Sequence, residues 1–219
     1  DDGCQITAPV DKDIINLVKD TAFSDIKTMD RAEAEKSGLF NVIGAEIDDK
    51  YVAELKKLIL SPEAIKKQAE NLKIVYTPFH GTGNVPVQRM LKELGFKKVY
   101  IVKEQEEPDG DFTTLEYPNP EDEKAFALAL KLAKEKDADI VLANDPDADR
   151  LGVYAKDKKT GKYIQFTGNM SGMLLAEYEL SVKKEKGLLK DDSTMITTIV
   201  STNLAFKIAE HYKLNLIEV

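Results

Sequence analysis

A chain of 219 residues is long enough for one large or two small domains with proper cores, and 42% hydrophobic with 32% charged residues is the composition of an ordinary soluble protein. A formal net charge of -8, with lysines scattered among acids, leaves no basic face, so neither nucleic acid nor an anionic membrane is an expected partner. One cysteine, Cys4, allows no internal disulfide and has no His near it in sequence, and the chain shows neither a signal peptide nor an apolar run of bilayer length. An inert, packed Cys4 and a reducing, cytoplasmic setting are expected.

From Asp1 to about Gly44 the chain reads as a tail with no core of its own: a short helix around Asp11 to Asp20, then an irregular acidic stretch. Helices follow, with Val52, Leu55, Leu58 and Ile59 spaced along one face, and a second start at Ser61-Pro62-Glu63 with Pro in the first turn. Ile74-Val75-Tyr76 is a strand, Thr77 to Asn84 a loop, and Val85 to Leu94 a helix ending at Gly95. Val99 to Val102 is the next strand, Glu104 to Pro120 a turn-rich loop, and Glu121 to Lys136 an amphipathic helix leading into the strand at Ile140. Such alternation predicts a βαβαβ unit with parallel strands. A hairpin of Leu151 to Ala155 and Tyr163 to Phe166 closes it. The fold class is therefore α/β, a three-layer mixed sheet with helices on both faces. Near Gly168 a second similar α/β domain starts: helix Asn169 to Lys186, strand Met195 to Val200, helix Thr202 to Tyr212 and strand Leu216 to Val219. With no Met at the start and a parallel strand at the very end, the chain is expected to be a piece of a longer enzyme.

The most informative segment is Asp145-Pro146-Asp147-Ala148-Asp149-Arg150, set between two strand-like runs. Three carboxylates at alternate positions converge on a point where a hard cation can sit, and oxygen-only donors suit Mg²⁺ better than zinc. A calcium-binding EF-hand loop also opens D-x-D-x-D, but it needs Gly at its sixth position and Glu at its twelfth, where this chain has Arg150 and Lys156. Asp145, Asp147 and Asp149 are the candidate metal ligands. Arg150 adds a donor fork shaped for phosphate, which makes phosphoryl chemistry the leading class.

The turn Phe79-His80-Gly81-Thr82-Gly83-Asn84 lies between a strand and a helix, where backbone N–H groups can face an anion. It matches neither a P-loop nor the dinucleotide fingerprint, and its plain structural reading is a tight turn with Gly at positive φ. His80 is a candidate for substrate or phosphate binding, for orienting a metal ligand or for acid–base work, with a turn-stabilising hydrogen bond as the alternative. Asp109 and Asp111 in Pro108-Asp109-Gly110-Asp111-Phe112 read as turn chemistry, and His211 as a surface or partly packed helix residue.

Three segments occur in a telling order: Thr77-Pro78-Phe79-His80-Gly81-Thr82-Gly83, then Pro108 to Phe112 ahead of Tyr117-Pro118-Asn119-Pro120-Glu121, then the acidic hexapeptide. Together they resemble the α-D-phosphohexomutases, the phosphoglucomutase and phosphomannomutase superfamily, from the Asp2-Gly3 opening to the final strand. Among them the chain looks most like the bacterial phosphoglucomutases allied to phosphoglucomutase 2. The resemblance implies a four-domain enzyme in which a phosphoserine passes its phosphoryl group to a hexose phosphate, through a bisphosphate that reorients and returns the other group. It implies Mg²⁺ held by Asp145, Asp147 and Asp149 together with the phosphoserine, with Arg150 positioning phosphate or substrate.

On this reading residues 1–44 are the tail of the first mutase domain, 45–167 a complete domain carrying the metal loop, and 168–219 the opening of the third. The family's Thr-Ala-Ser-His-Asn-Pro loop has no counterpart, because no Ser of this chain precedes a His, so no catalytic nucleophile is assigned and the isolated chain is expected to be inactive. Pro146 and Ala148 stand where many members have Gly. Glucose phosphates are the expected substrates, mannose and pentose phosphates the alternatives. Two rival classes remain: a non-catalytic divalent-cation module, and a haloacid-dehalogenase-type phosphatase. The latter needs a nucleophilic Asp after the first strand, where this chain has Thr77 and Pro78.

Overall fold

The computed structural model describes residues 4–219, so the Asp2-Gly3 opening lies outside the described residues. Two compact units are present, the first ending at Ile47 and the second spanning Asp48–Val219. In the first, α1 (Val10–Asp20) is followed by a 3-10 turn at Phe23–Asp25 and by α2 (Arg31–Lys36). None of its described residues is buried, and Phe23, Leu39 and Val42 are all exposed, so the expected lack of a core holds. Cys4 is exposed, not packed, because this unit has no interior to receive it. Helix α2 stands where an irregular stretch is expected. Its start is set by the Asp30 carboxylate, which accepts from the N–H groups of Ala32 at 2.9 Å and Glu33 at 3.4 Å.

Next comes α3 (Ala45–Lys57), which buries Val52 but stops before Leu58, leaving that side chain exposed and off the expected apolar face. A short α4 (Pro62–Gln68), with Pro in its first turn, leads to the sheet. Its strands are β1 (Lys73–Thr77), β2 (Lys98–Ile101), β3 (Ile140–Asn144), β4 (Leu151–Lys156) and β5 (Tyr163–Phe166), in spatial order β2-β1-β3-β4-β5. β1 runs parallel to β2 and β3, while β3, β4 and β5 form an antiparallel meander. One crossover passes from β1 to β2 through α5 (Asn84–Glu93), and the next returns past β1 to β3 through α6 (Ala127–Lys136). The two run in opposite directions across the sheet, so the right-handed rule for such connections places their helices on opposite faces. The expected mixed α/β sheet is therefore present.

The reversal of direction around β1 creates a switch point at the carboxyl ends of β1 and β3, where open α/β sheets form their ligand crevice. The registers Thr77↔Ala143 and Asn144↔Leu151 put the 78–83 turn and the acidic loop side by side at that end. Beneath them the core joins Val75, Phe79, Val102, Phe126, Val141 and Tyr154, all buried. Phe126 meets Phe79 edge-on with ring centroids at 5.5 Å and Tyr154 at 4.7 Å. Small residues on α6, Ala129 and Ala133, are fully buried, which lets the helix backbone approach the sheet closely.

Only Thr167 separates β5 from α7 (Gly168–Glu185), and its hydroxyl caps the helix by accepting from Met170 N–H at 3.2 Å. The remaining elements are β6 (Thr194–Thr197), α8 (Leu204–Tyr212) and β7 (Asn215–Glu218), with β6 and β7 paired in parallel. The strand expected to run to Val200 ends at Thr197. Beyond it Ile199 and Val200 are exposed, in a bend where the hydroxyls of Thr198 and Ser201 lie 3.0 Å apart.

Candidate metal centre

The acidic loop closes the β3–β4 hairpin, and its roots are tied before any ligand is considered. Asn144 donates to Arg150 O at 2.8 Å and accepts from the Tyr76 hydroxyl at 3.3 Å, while Ala148 N–H donates to Asp145 O at 2.9 Å. Ala148 sits at φ 61, a left-handed position that glycine fills more cheaply. This loop brings one oxygen from each of Asp145, Asp147 and Asp149 within 4.8 Å of one another. Asp145 is fully buried, and the other two are exposed.

A buried carboxylate needs partners. Asp145 has two in Arg150, accepting from its backbone N–H at 2.9 Å and from Nε at 2.7 Å. Burial raises the Asp145 carboxyl, but these hydrogen bonds and the Arg150 charge outweigh it and hold the group below the usual carboxylate range. Asp149 moves the other way, raised first by the charge of Asp147, then by desolvation and Asp145. Such a cluster is short of positive charge. It can coordinate a divalent cation, because its donors are all hard oxygens of the kind Mg²⁺ prefers.

Arg150 is half exposed, and beyond Asp145 its Nε lies 3.7 Å from Asp149 and its Nη1 3.4 Å from Asn119 Oδ1. The Asn119 bond joins the acidic loop to the Tyr117-Pro118-Asn119-Pro120 segment. The sequence-predicted Asp145, Asp147, Asp149 and Arg150 thus come together at one end of the sheet. His80 is elsewhere engaged: it is buried, with Nδ1 2.8 Å from Glu107 O and Nε2 2.7 Å from Thr114 Oγ1, so both ring nitrogens hold the 107–114 loop. This geometry matches the hydrogen-bonding alternative and puts no ring nitrogen at the acidic loop.

Within that turn the glycines have a different purpose from the one expected. Left-handed φ values occur at Phe79 (47) and His80 (63), whereas Gly81 and Gly83 are not among the positive-φ glycines. What they provide is proximity: a Cβ at Gly81 would lie 2.3 Å from Pro146 Cα, and one at Gly83 would lie 2.7 Å from the Tyr76 hydroxyl. Asp109 accepts from the backbone N–H groups of Asp111 at 3.0 Å and Thr113 at 2.9 Å, the turn chemistry expected of it.

Residues 49–160 match the family model described as phosphoglucomutase/phosphomannomutase, alpha/beta/alpha domain II. The chain is 34% identical over 210 residues to a probable phosphomannomutase of Haemophilus influenzae, a match covering 96% of this chain and 40% of that protein. It is 35% identical over 186 residues to a phosphoglucomutase of Staphylococcus epidermidis, covering 84% of this chain and 32% of the relative. A human phosphopentomutase is 34% identical over 213 residues, with 95% and 34% covered. Thus the chain spans roughly a third to two fifths of the length of these relatives. A crystal structure of a phosphoglucomutase/phosphomannomutase family protein from Burkholderia thailandensis shares the fold, with a TM-score of 0.54 at 23% identity over 78% of this chain and 32% of that one. No described helix is long and apolar enough to cross a membrane.

Proposed function

The chain belongs to the phosphoglucomutase/phosphomannomutase family, and from that premise we infer that it carries the metal loop of a Mg²⁺-dependent phosphosugar mutase. The reaction is the interconversion of hexose 1-phosphate and hexose 6-phosphate through a phosphoserine and a bisphosphate, with glucose phosphates as the principal substrates, in the cytoplasm. The observation that carries this reading is the convergence of Asp145, Asp147 and Asp149 on one point at the sheet's switch point.

Asp145, Asp147 and Asp149 would hold the cation, and Asp145 is already oriented by the two Arg150 bonds. Bound there, Mg²⁺ would neutralise charge on the oxygens of the transferring phosphoryl group. Arg150 keeps its bond to Asp145 through Nε and leaves the guanidinium edge, half exposed, to meet a phosphate oxygen. The exposed Asp147 and Asp149 set the negative side of the site and confine phosphate to positions screened by the cation or by Arg150. No Ser of this chain precedes a His, so the phosphoserine would come from a Thr-Ala-Ser-His-Asn-Pro-type loop outside this sequence, and the chain alone is inactive.

A phosphomannose or phosphopentose substrate is the second reading, favoured by the names of the Haemophilus and human relatives. The test is a coupled assay with Mg²⁺ and glucose 1-phosphate, mannose 1-phosphate or ribose 1-phosphate, run on the chain and on the longer polypeptide that contains it. Turnover of glucose 1-phosphate is expected only with the longer polypeptide. Mg²⁺-dependent turnover by the chain alone would overturn its inactivity, and a preference for mannose or ribose phosphate would overturn the substrate.

A further inference from the structure

We propose that Gly81 and Thr82, which lie outside the acidic hexapeptide, are positioning residues for its cation site: they fix the Pro146 peptide and thereby the spacing of Asp145 and Asp147. The proposal rests on the reading of that loop as a divalent-cation site.

Pro146 stands between two of the candidate ligands and has no N–H, so its carbonyl is the only hydrogen-bonding group by which this residue can be tethered. Thr82 takes that carbonyl twice, donating from its backbone N–H at 2.8 Å and from its hydroxyl at 3.1 Å. Gly81 presses from the side, since a Cβ there would come within 2.3 Å of Pro146 Cα, 2.5 Å of its O and 2.7 Å of its C. No side chain can be added without moving that backbone. The turn thus holds the loop from outside at the one residue that separates Asp145 from Asp147.

A positioning element must itself be fixed. Two consecutive left-handed residues, Phe79 and His80, are conformations that survive only where the surroundings over-determine them. They are over-determined here. Phe79 N–H donates to Thr77 Oγ1 at 3.2 Å, and that hydroxyl donates to Gln105 Oε1 at 2.7 Å. His80 N–H donates to Gln105 O at 2.9 Å, its ring is held at both nitrogens, and the Phe79 ring is locked against Phe126. The rigid turn delivers Gly81 and Thr82 to Pro146. By contrast, Asp147 and Asp149 are exposed at the tip of the loop, so the Pro146 tether is an external constraint next to the first of them.

The experiment is calorimetric titration of the full chain with Mg²⁺ alone, together with amide hydrogen exchange of the metal-free chain at Ala148 and Arg150, whose N–H groups bond to Asp145. The variants are Gly81→Ala, Thr82→Val, Thr82→Ser and, as a control in the open interior of α7, Gly172→Ala, whose Cβ would meet nothing within 4 Å. Gly81→Ala should weaken Mg²⁺ binding by about tenfold or more, the scale typical of lost support to metal ligands. Thr82→Val should weaken it several-fold, Thr82→Ser should restore it, and both weakened variants should exchange faster at Ala148 and Arg150. If Gly81→Ala fails to fold, Thr82→Val and its serine rescue carry the test. Wild-type Mg²⁺ affinity and wild-type exchange in folded Gly81→Ala and Thr82→Val would overturn the proposal. If the wild-type chain itself binds no Mg²⁺, the cation reading fails, and the exchange measurement alone then decides whether the turn positions the loop.

Discussion

Replacing Tyr154 with Phe will stabilise the chain, although it removes a polar group from a natural side chain. Tyr154 lies on β4 with 3% exposure, and its hydroxyl is buried without a hydrogen-bond partner among the described residues. An unsatisfied buried hydroxyl costs about 1–3 kcal/mol, and a Phe ring keeps the packing against Phe126 at 4.7 Å. After allowing for the dispersion attraction that leaves with the oxygen, the gain is about 1–2 kcal/mol, or roughly 2–8 °C in Tm for a unit of this size.

The same substitution has a distinct alkaline signature. Burial first, and then the charges of Glu123 and Asp122, push the Tyr154 phenol from its ordinary value of 10.0 up to about 12. A folded-state pKa above the unfolded one means that the neutral form's contribution is fully present below pH 10 and is lost as pH rises through about 12. At about 1.4 kcal/mol per unit, the stability gap between Tyr154→Phe and wild type should widen by roughly 3 kcal/mol over that window. Urea denaturation followed by far-UV circular dichroism, at a series of pH values, measures both effects without relying on tryptophan, which the chain lacks. A Phe variant less stable than wild type near neutral pH would show that the hydroxyl has a partner, and a gap that stays constant above pH 10 would show that burial does not raise the phenol; either result refutes the reasoning.

Other outcomes follow from the same packing and site. Phe126→Ala removes the ring that joins Phe79 to Tyr154 and should cost about 3–5 kcal/mol by chemical denaturation. Gly152→Ala places a Cβ 2.6 Å from Phe126 Cζ and Pro120 O, so overpacking of about 1–3 kcal/mol is expected, read as a lower urea midpoint with an unchanged slope. Asp147→Asn removes an exposed candidate ligand, and it should weaken Mg²⁺ binding in calorimetry while leaving stability in the absence of metal unchanged within about 0.5 kcal/mol, as for other surface changes.

The strands, the parallel βαβαβ core and the acidic loop are legible in sequence because they depend on local pattern: apolar runs such as Ile140 to Ala143, turn residues between them, and alternate carboxylates. The α2 helix escapes such a reading although Asp30 and Glu33 bracket its first turn, because its short, highly charged run has no apolar periodicity to announce it. Leu58 is misplaced by it because helical spacing does not reveal that α3 stops one residue earlier. Least legible is the 78–83 turn. Its glycines suggest positive φ, but their use is the approach of another loop 64 residues away in sequence, seen in the Thr82–Pro146 bond. The left-handed Phe79 and His80 carry no compositional sign, since their conformations are imposed by Gln105 and by the 107–114 loop.

The junction at Thr167 has a mechanical consequence. With one residue between β5 and the 18-residue α7, and with that residue's hydroxyl engaged in capping, the joint has almost no slack. A helix of that length reaches about 27 Å, so a rotation of roughly 10° at its root would swing its far end by about 5 Å. Any such rotation would be carried into α7 through this joint, against the restraint of the Tyr212 hydroxyl donating to Glu177 midway along the helix and of Lys186 Nζ donating to Leu60 O at its far end.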